Sequence, residues 1–170
     1  MIAAVAGASL LGLSACSGGG SSSGSEESPT SAAAGAGLAS FDPCTFFEPG
    51  ELTSWGLSTQ SEDFSPVKSE PGCKWDGDQM GLALQKNAEE SVASYQQSGS
   101  WERYDKKTIG GRSAAIANEP GTVGQGSCTV LVDAGGGVAI YMVDGTRRDS
   151  VDACAEAEKI ANQTASRLPE

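Results

Sequence analysis

The chain has 170 residues, 22 acidic against 11 basic side chains, and a formal net charge of −11. Such a balance is repelled by phosphates, which excludes nucleic acid as a partner and excludes flat adhesion to anionic headgroups. Histidine is absent, so the commonest general base and the commonest zinc ligand are removed together.

The first predicted element is an export signal. Ile2 to Leu13 carries no charge and has the length of a signal-peptide apolar region, too short to span a bilayer. Ser14-Ala15 then precede Cys16, and a Gly/Ser run follows it directly. Small residues before a cysteine suit a lipoprotein signal peptidase, and the thiol is the acceptor for the lipid. Residues 1–15 are therefore expected to be a lipoprotein signal peptide, with Cys16 lipidated. No Lys or Arg precedes the apolar run, so the true start is expected upstream of Met1. Residues 16–40, rich in Ser, Gly and Ala, lack the apolar content to build a core. They are expected to be a flexible tether with an r.m.s. span of about 25–30 Å.

Residues 41–170 form the expected single globular domain. Asp42-Pro43-Cys44 reads as a capped helical turn, and a second helix starts at Pro49 and runs to Trp55, with Gly56 as its C-cap. Residues 58–72 read mostly as loop. Cys73 and Trp75 share one side of a short strand, Asp76-Gly77 turns, and Met80, Leu82 and Leu84 alternate in the partner strand. Asn87 with Glu90 resembles a capping box for a helix over Glu89 to Ser98, ending at Gly99. A strand around Ala114 to Ala117 follows Gly110-Gly111. The strands Cys128 to Asp133 and Val138 to Val143 are apolar on both faces, as central strands covered on two sides would be. Cys154, Ala157, Ala161, Thr164 and Leu168, with Ile160 beside them, recur at helical spacing from Asp152 onward. The fold class is α+β: a small antiparallel sheet with N- and C-terminal helices packed on it and two disulfides.

Four cysteines remain once Cys16 is given to lipid: Cys44, Cys73, Cys128 and Cys154. An even number in an exported chain favours disulfides, and the lack of histidine and of any C-x-x-C spacing argues against metal. Three connectivities are possible. Cys44 and Cys154 both follow a capping aspartate, whereas Cys73 and Cys128 both open strands. Pairing like contexts gives the expectation Cys44–Cys154 and Cys73–Cys128.

The lipid signal and five ordered landmarks resemble a known group. The landmarks are Asp42-Pro43-Cys44, Cys73-x-Trp75, Gly110-Gly111-Arg112-x-Ala114, the Cys128 strand, and Asp152-x-Cys154 leading a helix that closes with Leu168-Pro169. Together they resemble the actinobacterial lipoprotein family called domain of unknown function 3558, across residues 41–170. Ala153 and Ser113 stand where prolines would be expected. The resemblance implies location and architecture, and brings no catalytic residues with it.

Candidate chemistry is sparse. Ser65-Pro66-Val67-Lys68 matches the S-x-x-K nucleophile motif but lies in a polar, proline-containing stretch without its companion motifs. Asp76-Gly77-Asp78 lacks the further ligands of a calcium loop. Asn162-Gln163-Thr164 is a sequon in form only, inside a helix. Trp101 sits among polar residues, and with Arg103 and Tyr104 it makes a candidate contact patch. No cofactor is implied. The expectation is a non-enzymatic binding or accessory domain, lipid-anchored at the outer face of the cytoplasmic membrane in the cell envelope, with an envelope protein or glycan as partner. Two alternatives stay open. One is an envelope enzyme using paired carboxylates on glycan or peptide; the other is a carrier of a small apolar ligand, which needs a cavity between sheet and helices.

Overall fold

A computed structural model describes residues 37–170; the expected signal, Cys16 and the tether up to residue 36 lie outside the described residues. The strands are Glu62–Phe64 (β1), Gly72–Asp76 (β2), Met80–Asn87 (β3), Arg103–Ile109 (β4), Arg112–Asn118 (β5), Ser127–Ala134 (β6) and Gly137–Gly145 (β7). The α-helices are Pro49–Ser54 (α1), Val92–Ser98 (α2) and Ala153–Thr164 (α3), with 3-10 turns at Leu38–Ser40, Pro43–Thr45 and Ala165–Arg167. The strands pair antiparallel in one sheet ordered β1-β2-β3-β7-β6-β5-β4. This is the α+β architecture expected from the sequence. Among the described residues no helix is long and apolar enough to cross a membrane.

Strand alternation assigns each residue a face. On the first face, Leu82 and Leu84 of β3, Tyr141 and Val143 of β7, and Cys128, Val130 and Val132 of β6 are buried together. α3 closes this face with Ala157, Ile160, Ala161 and Thr164. Asp152 starts that helix by accepting from the Ala155 amide at 3.1 Å. Phe47 fills the rest, meeting Trp75 edge-on at 5.1 Å and Trp55 at 5.3 Å. Leu38, inside the stretch read as tether, is fully buried, and its amide donates to Gly135 O at 3.0 Å.

Several residues that carry the family resemblance act as fasteners of this first layer. Asp42 Oδ1 accepts from the Cys44 amide at 2.9 Å. The Arg112 guanidinium, just after the Gly110-Gly111 turn, donates to the carbonyls of Leu168 and Pro169 at 2.8 and 2.7 Å. The chain's C-terminal segment is thereby tied to the end of the sheet. Deep in the layer, Thr164 Oγ1 donates to Ile160 O at 2.8 Å, which spends its single hydroxyl proton. The fully buried Tyr141 hydroxyl, 3.0 Å from Thr164 Oγ1, must then be the donor of that pair.

The disulfides correct the expectation. Cys44 bonds to Cys73 and Cys128 to Cys154, each with Cα atoms 5.0 Å apart; the pairs Cys44–Cys154 and Cys73–Cys128 do not form. Cys73 lies on β2 and Cys128 on β6, with β3 and β7 between them. Three strand spacings put them about 14 Å apart, beyond the roughly 7 Å that a disulfide can bridge. Each helix-start cysteine instead meets the strand cysteine nearest in sequence.

Three further elements differ from the sequence reading. β1 occupies part of the expected loop, held by pairing with β2. β4 is an edge strand whose charged side chains mask its alternation. α2 begins at Val92 with Ser91 as its cap, rather than at Glu89. Asn87 is the last residue of β3, and its Oδ1 accepts from the Glu89 amide at 3.1 Å, making a turn before the helix.

Candidate functional site

Among the described residues, the second face of the sheet has far less cover than the first. It receives α2, whose 7 residues are too few to shield the central strands, and the segment after it. Val92 of α2, with Tyr95, Trp101 and Tyr104, packs on Ala115, Ala117, Leu131, Val138 and Ile140. Beside this cluster a solvent-open groove of about 420 Å³ remains. Thr129 and Leu131 of β6 and Ile140 and Met142 of β7 form its floor. The volume falls in the range of small-molecule sites, about 300–1,000 Å³.

The walls come from three separate places. Tyr95 of α2 and Trp101 form one, Val67 and Glu70 of the β1–β2 loop another, and Glu119 and Pro120 of the β5–β6 loop a third. Val67 is 48 % exposed, one of two large apolar side chains left in water among the described residues. Polar residues of β3 hold the first two walls together. Asn87 Nδ2 donates to the Tyr95 hydroxyl at 3.0 Å, and that hydroxyl donates to Glu70 Oε1. Gln85, only 1 % exposed, donates through Nε2 to Glu70 O at 2.7 Å. A buried glutamine and asparagine on the second face thus fix the loop that carries Glu70.

Trp101 closes one end of α2. Its indole N–H donates to Tyr95 O at 2.6 Å, and its ring lies directly over Gly99. A Cβ at position 99 would come within 2.0 Å of Nε1, so the helix stop must be glycine for the ring to lie there. Tyr104 of β4 packs on Trp101 with ring centroids 5.8 Å apart and donates to Val92 O at 2.5 Å. Asp133 Oδ1 accepts the Val92 amide at 2.7 Å, so β6 itself helps cap α2. Burial, then the neighbouring Glu70 hydrogen bond, pushes the Tyr95 phenol well above its ordinary range. Burial, then the Asp133 charge, pushes Tyr104 up to about 12. Both hydroxyls therefore stay protonated donors at neutral pH.

The candidate patch Trp101, Arg103, Tyr104 is divided by strand alternation. Trp101 lines the groove and Tyr104 supports it, while Arg103 turns to the opposite face. There Arg103 Nε donates to Asp105 Oδ2 at 2.6 Å, and Nη1 lies 3.8 Å from Cys154 Sγ. The residues that sequence reasoning missed are Glu70, Tyr95, Glu119 and Met142. The available signal was the apolar character of both faces of β6 and β7.

Other candidates resolve into structure. The Ser65 hydroxyl donates to Val67 O at 3.1 Å in a non-helical loop, so S-x-x-K is not displayed as a nucleophile motif. Gly77 N donates to Met80 O at 3.0 Å, closing the β2–β3 turn. Cys44, Asp63 and Cys73 cluster as potential metal ligands, but both sulfurs are spent on each other in the disulfide. A second, more open hollow of about 610 Å³ lies beside that disulfide. It is lined in part by Ser40 to Cys44, and Lys86 closes part of it by donating to Ala39 O at 2.7 Å and to Phe41 O.

No curated protein and no solved structure matches the chain significantly. A family model described as "Protein of unknown function (DUF3558)" matches residues 11–167. With nearly its whole length matched, the chain belongs to the DUF3558 family of proteins of unknown function.

Proposed function

We propose that this protein is an exported lipoprotein, held at the outer face of the cytoplasmic membrane by acylated Cys16, whose domain is a non-enzymatic binding module. The groove on the second face carries the binding half of this reading. A sheet whose two central strands are apolar on both sides, yet screened on one side, among the described residues, chiefly by the short α2 and the segment after it, keeps a concave apolar floor within reach of solvent. Polar handles stand at its rim in Glu70, Tyr95 and Glu119. The anchor half is supported by the uncharged run, the small residues and the Gly/Ser stretch around Cys16.

Two measurements test the two halves. Expressed in a bacterium that processes lipoproteins, the full chain takes up alkyne-palmitate and partitions into detergent, and Cys16→Ala loses both. Label retained by Cys16→Ala, or absent from the parent, overturns the anchor. The neutral dye nile red binds the full-length Cys16→Ala chain with a rise in fluorescence, and Met142→Arg, which places a charged stem on the groove floor, reduces that binding at least tenfold. Binding unaffected by Met142→Arg, or no binding at all, overturns the groove.

A further inference from the structure

The geometry points to a cationic ligand: we infer that the groove receives a free small molecule with a protonated or quaternary amine on an apolar body. This rests on the groove being the binding site, and adds the chemistry of what it selects.

Two carboxylates, Glu70 and Glu119, reach the groove from different loops, and no Lys or Arg among the described residues lines it. Glu70 is held in place from both ends. The Tyr95 hydroxyl takes its Oε1, and Gln85 takes its main-chain oxygen. The second oxygen, Oε2, has no partner among the described residues, and neither does the Glu119 carboxylate. A fixed, half-buried carboxylate with one oxygen free is a preformed acceptor for an N–H donor or a counter-charge for an ammonium. Beside it stand Tyr95 and Trp101, with ring centroids 6.4 Å apart. Aromatic faces attract cations through the ring quadrupole, most strongly for tryptophan, and repel anions for the same reason. The floor supplies Thr129 Oγ1, the Met142 thioether and otherwise apolar carbons, which suits an aliphatic or aromatic body. A neutral apolar ligand would leave Glu70 Oε2 unpaired as the groove dries, and an anion would be opposed by both carboxylates.

The experiment is displacement of nile red from full-length Cys16→Ala protein by three probes of equal chain length, the two ionic ones below their micelle concentrations and the neutral one below its solubility limit. The probes are octyltrimethylammonium, octanol and octanoate. The expected result is displacement by octyltrimethylammonium at a concentration at least tenfold below octanol, with octanoate weakest. Glu70→Gln, which keeps a carbonyl acceptor for Tyr95, and Glu119→Gln each narrow that preference, and together they reduce it below about threefold. Equal displacement by the three probes, or preference for octanoate, overturns the cationic inference while leaving the groove intact. A cation preference that survives both substitutions overturns the role given to the two carboxylates, because the aromatic faces or the overall charge of −11 would then be its source. Failure of nile red to bind overturns the groove reading itself, and the inference with it.

Discussion

Replacing cysteines in matched and crossed pairs should give sharply different stabilities. The two disulfides close sequence separations of 29 and 26 residues. Loops of that size confer about 3.5 kcal/mol each by restricting the unfolded chain. Each bond also includes one buried sulfur, from Cys73 or Cys128, so the packing lost with either bond is similar. The double variants Cys44→Ala/Cys73→Ala and Cys128→Ala/Cys154→Ala should therefore each lose about 3–4 kcal/mol. The crossed variant Cys44→Ala/Cys154→Ala removes both bonds and should lose about 7 kcal/mol, a large part of the 5–15 kcal/mol typical of a domain. Its remaining thiols, Cys73 and Cys128, are separated by two strands and cannot restore a link. Urea unfolding under non-reducing conditions measures all three, and tryptic mapping before reduction shows which peptides are joined. A crossed variant as stable as the matched ones would refute the pairing.

The Tyr141–Thr164 contact should respond asymmetrically. Tyr141→Phe leaves Thr164 bonded to Ile160 O and should cost about 0.5–1.5 kcal/mol, whereas Thr164→Val strands a fully buried tyrosine hydroxyl and should cost about 1–3 kcal/mol. Chemical denaturation in which Tyr141→Phe was the more damaging change would reverse the donor assignment. Acid stability should depend on Glu51, whose carboxyl lies below its ordinary value of 4.5 chiefly because the Arg167 guanidinium hydrogen-bonds it at 2.7 and 2.8 Å. A depressed folded pKa gives stability that is present above 4.5 and is lost as pH falls through the folded value. Arg167→Leu should therefore flatten that acid limb, by under about 1 kcal/mol because the pair is partly solvated; an unchanged pH–Tm profile below 4.5 would refute this.

Much of the first face was legible in the chain because its signals are local. Asp152 and the Ala157–Ile160–Ala161–Thr164 spacing specify α3 without any knowledge of the sheet, and Met80, Leu82 and Leu84 alternate in the open. β4 was hidden because an edge strand needs little apolar surface: Asp105, Lys106 and Lys107 stay in water, leaving mainly Tyr104 and Ile109 to show the pattern. The Gly110-Gly111 turn before β5 was the overlooked clue, since a two-residue turn requires a strand upstream of it. The groove was illegible for a different reason. Glu70, Tyr95, Trp101, Glu119 and Met142 are scattered along the sequence and meet only through the strand order. Matching cysteines by context failed because a disulfide depends on distance across the sheet, which context does not report.

The connectivity of the disulfides has a consequence for biogenesis. Cys44 joins the next cysteine downstream, Cys73, and Cys128 joins the next after it, Cys154. A polypeptide delivered N-terminus first presents Cys73 to Cys44 before either later thiol has emerged. With Cys16 committed to lipid as proposed, this is, of the three possible connectivities, the one that oxidation in order of emergence yields directly, with no slow thiol exchange to undo a mispairing. Each link also stays on its own side of the β3–β7 seam, the long-range pairing that completes the sheet. Oxidation can therefore run ahead of the final zipping of the two halves without locking either of them in a wrong register.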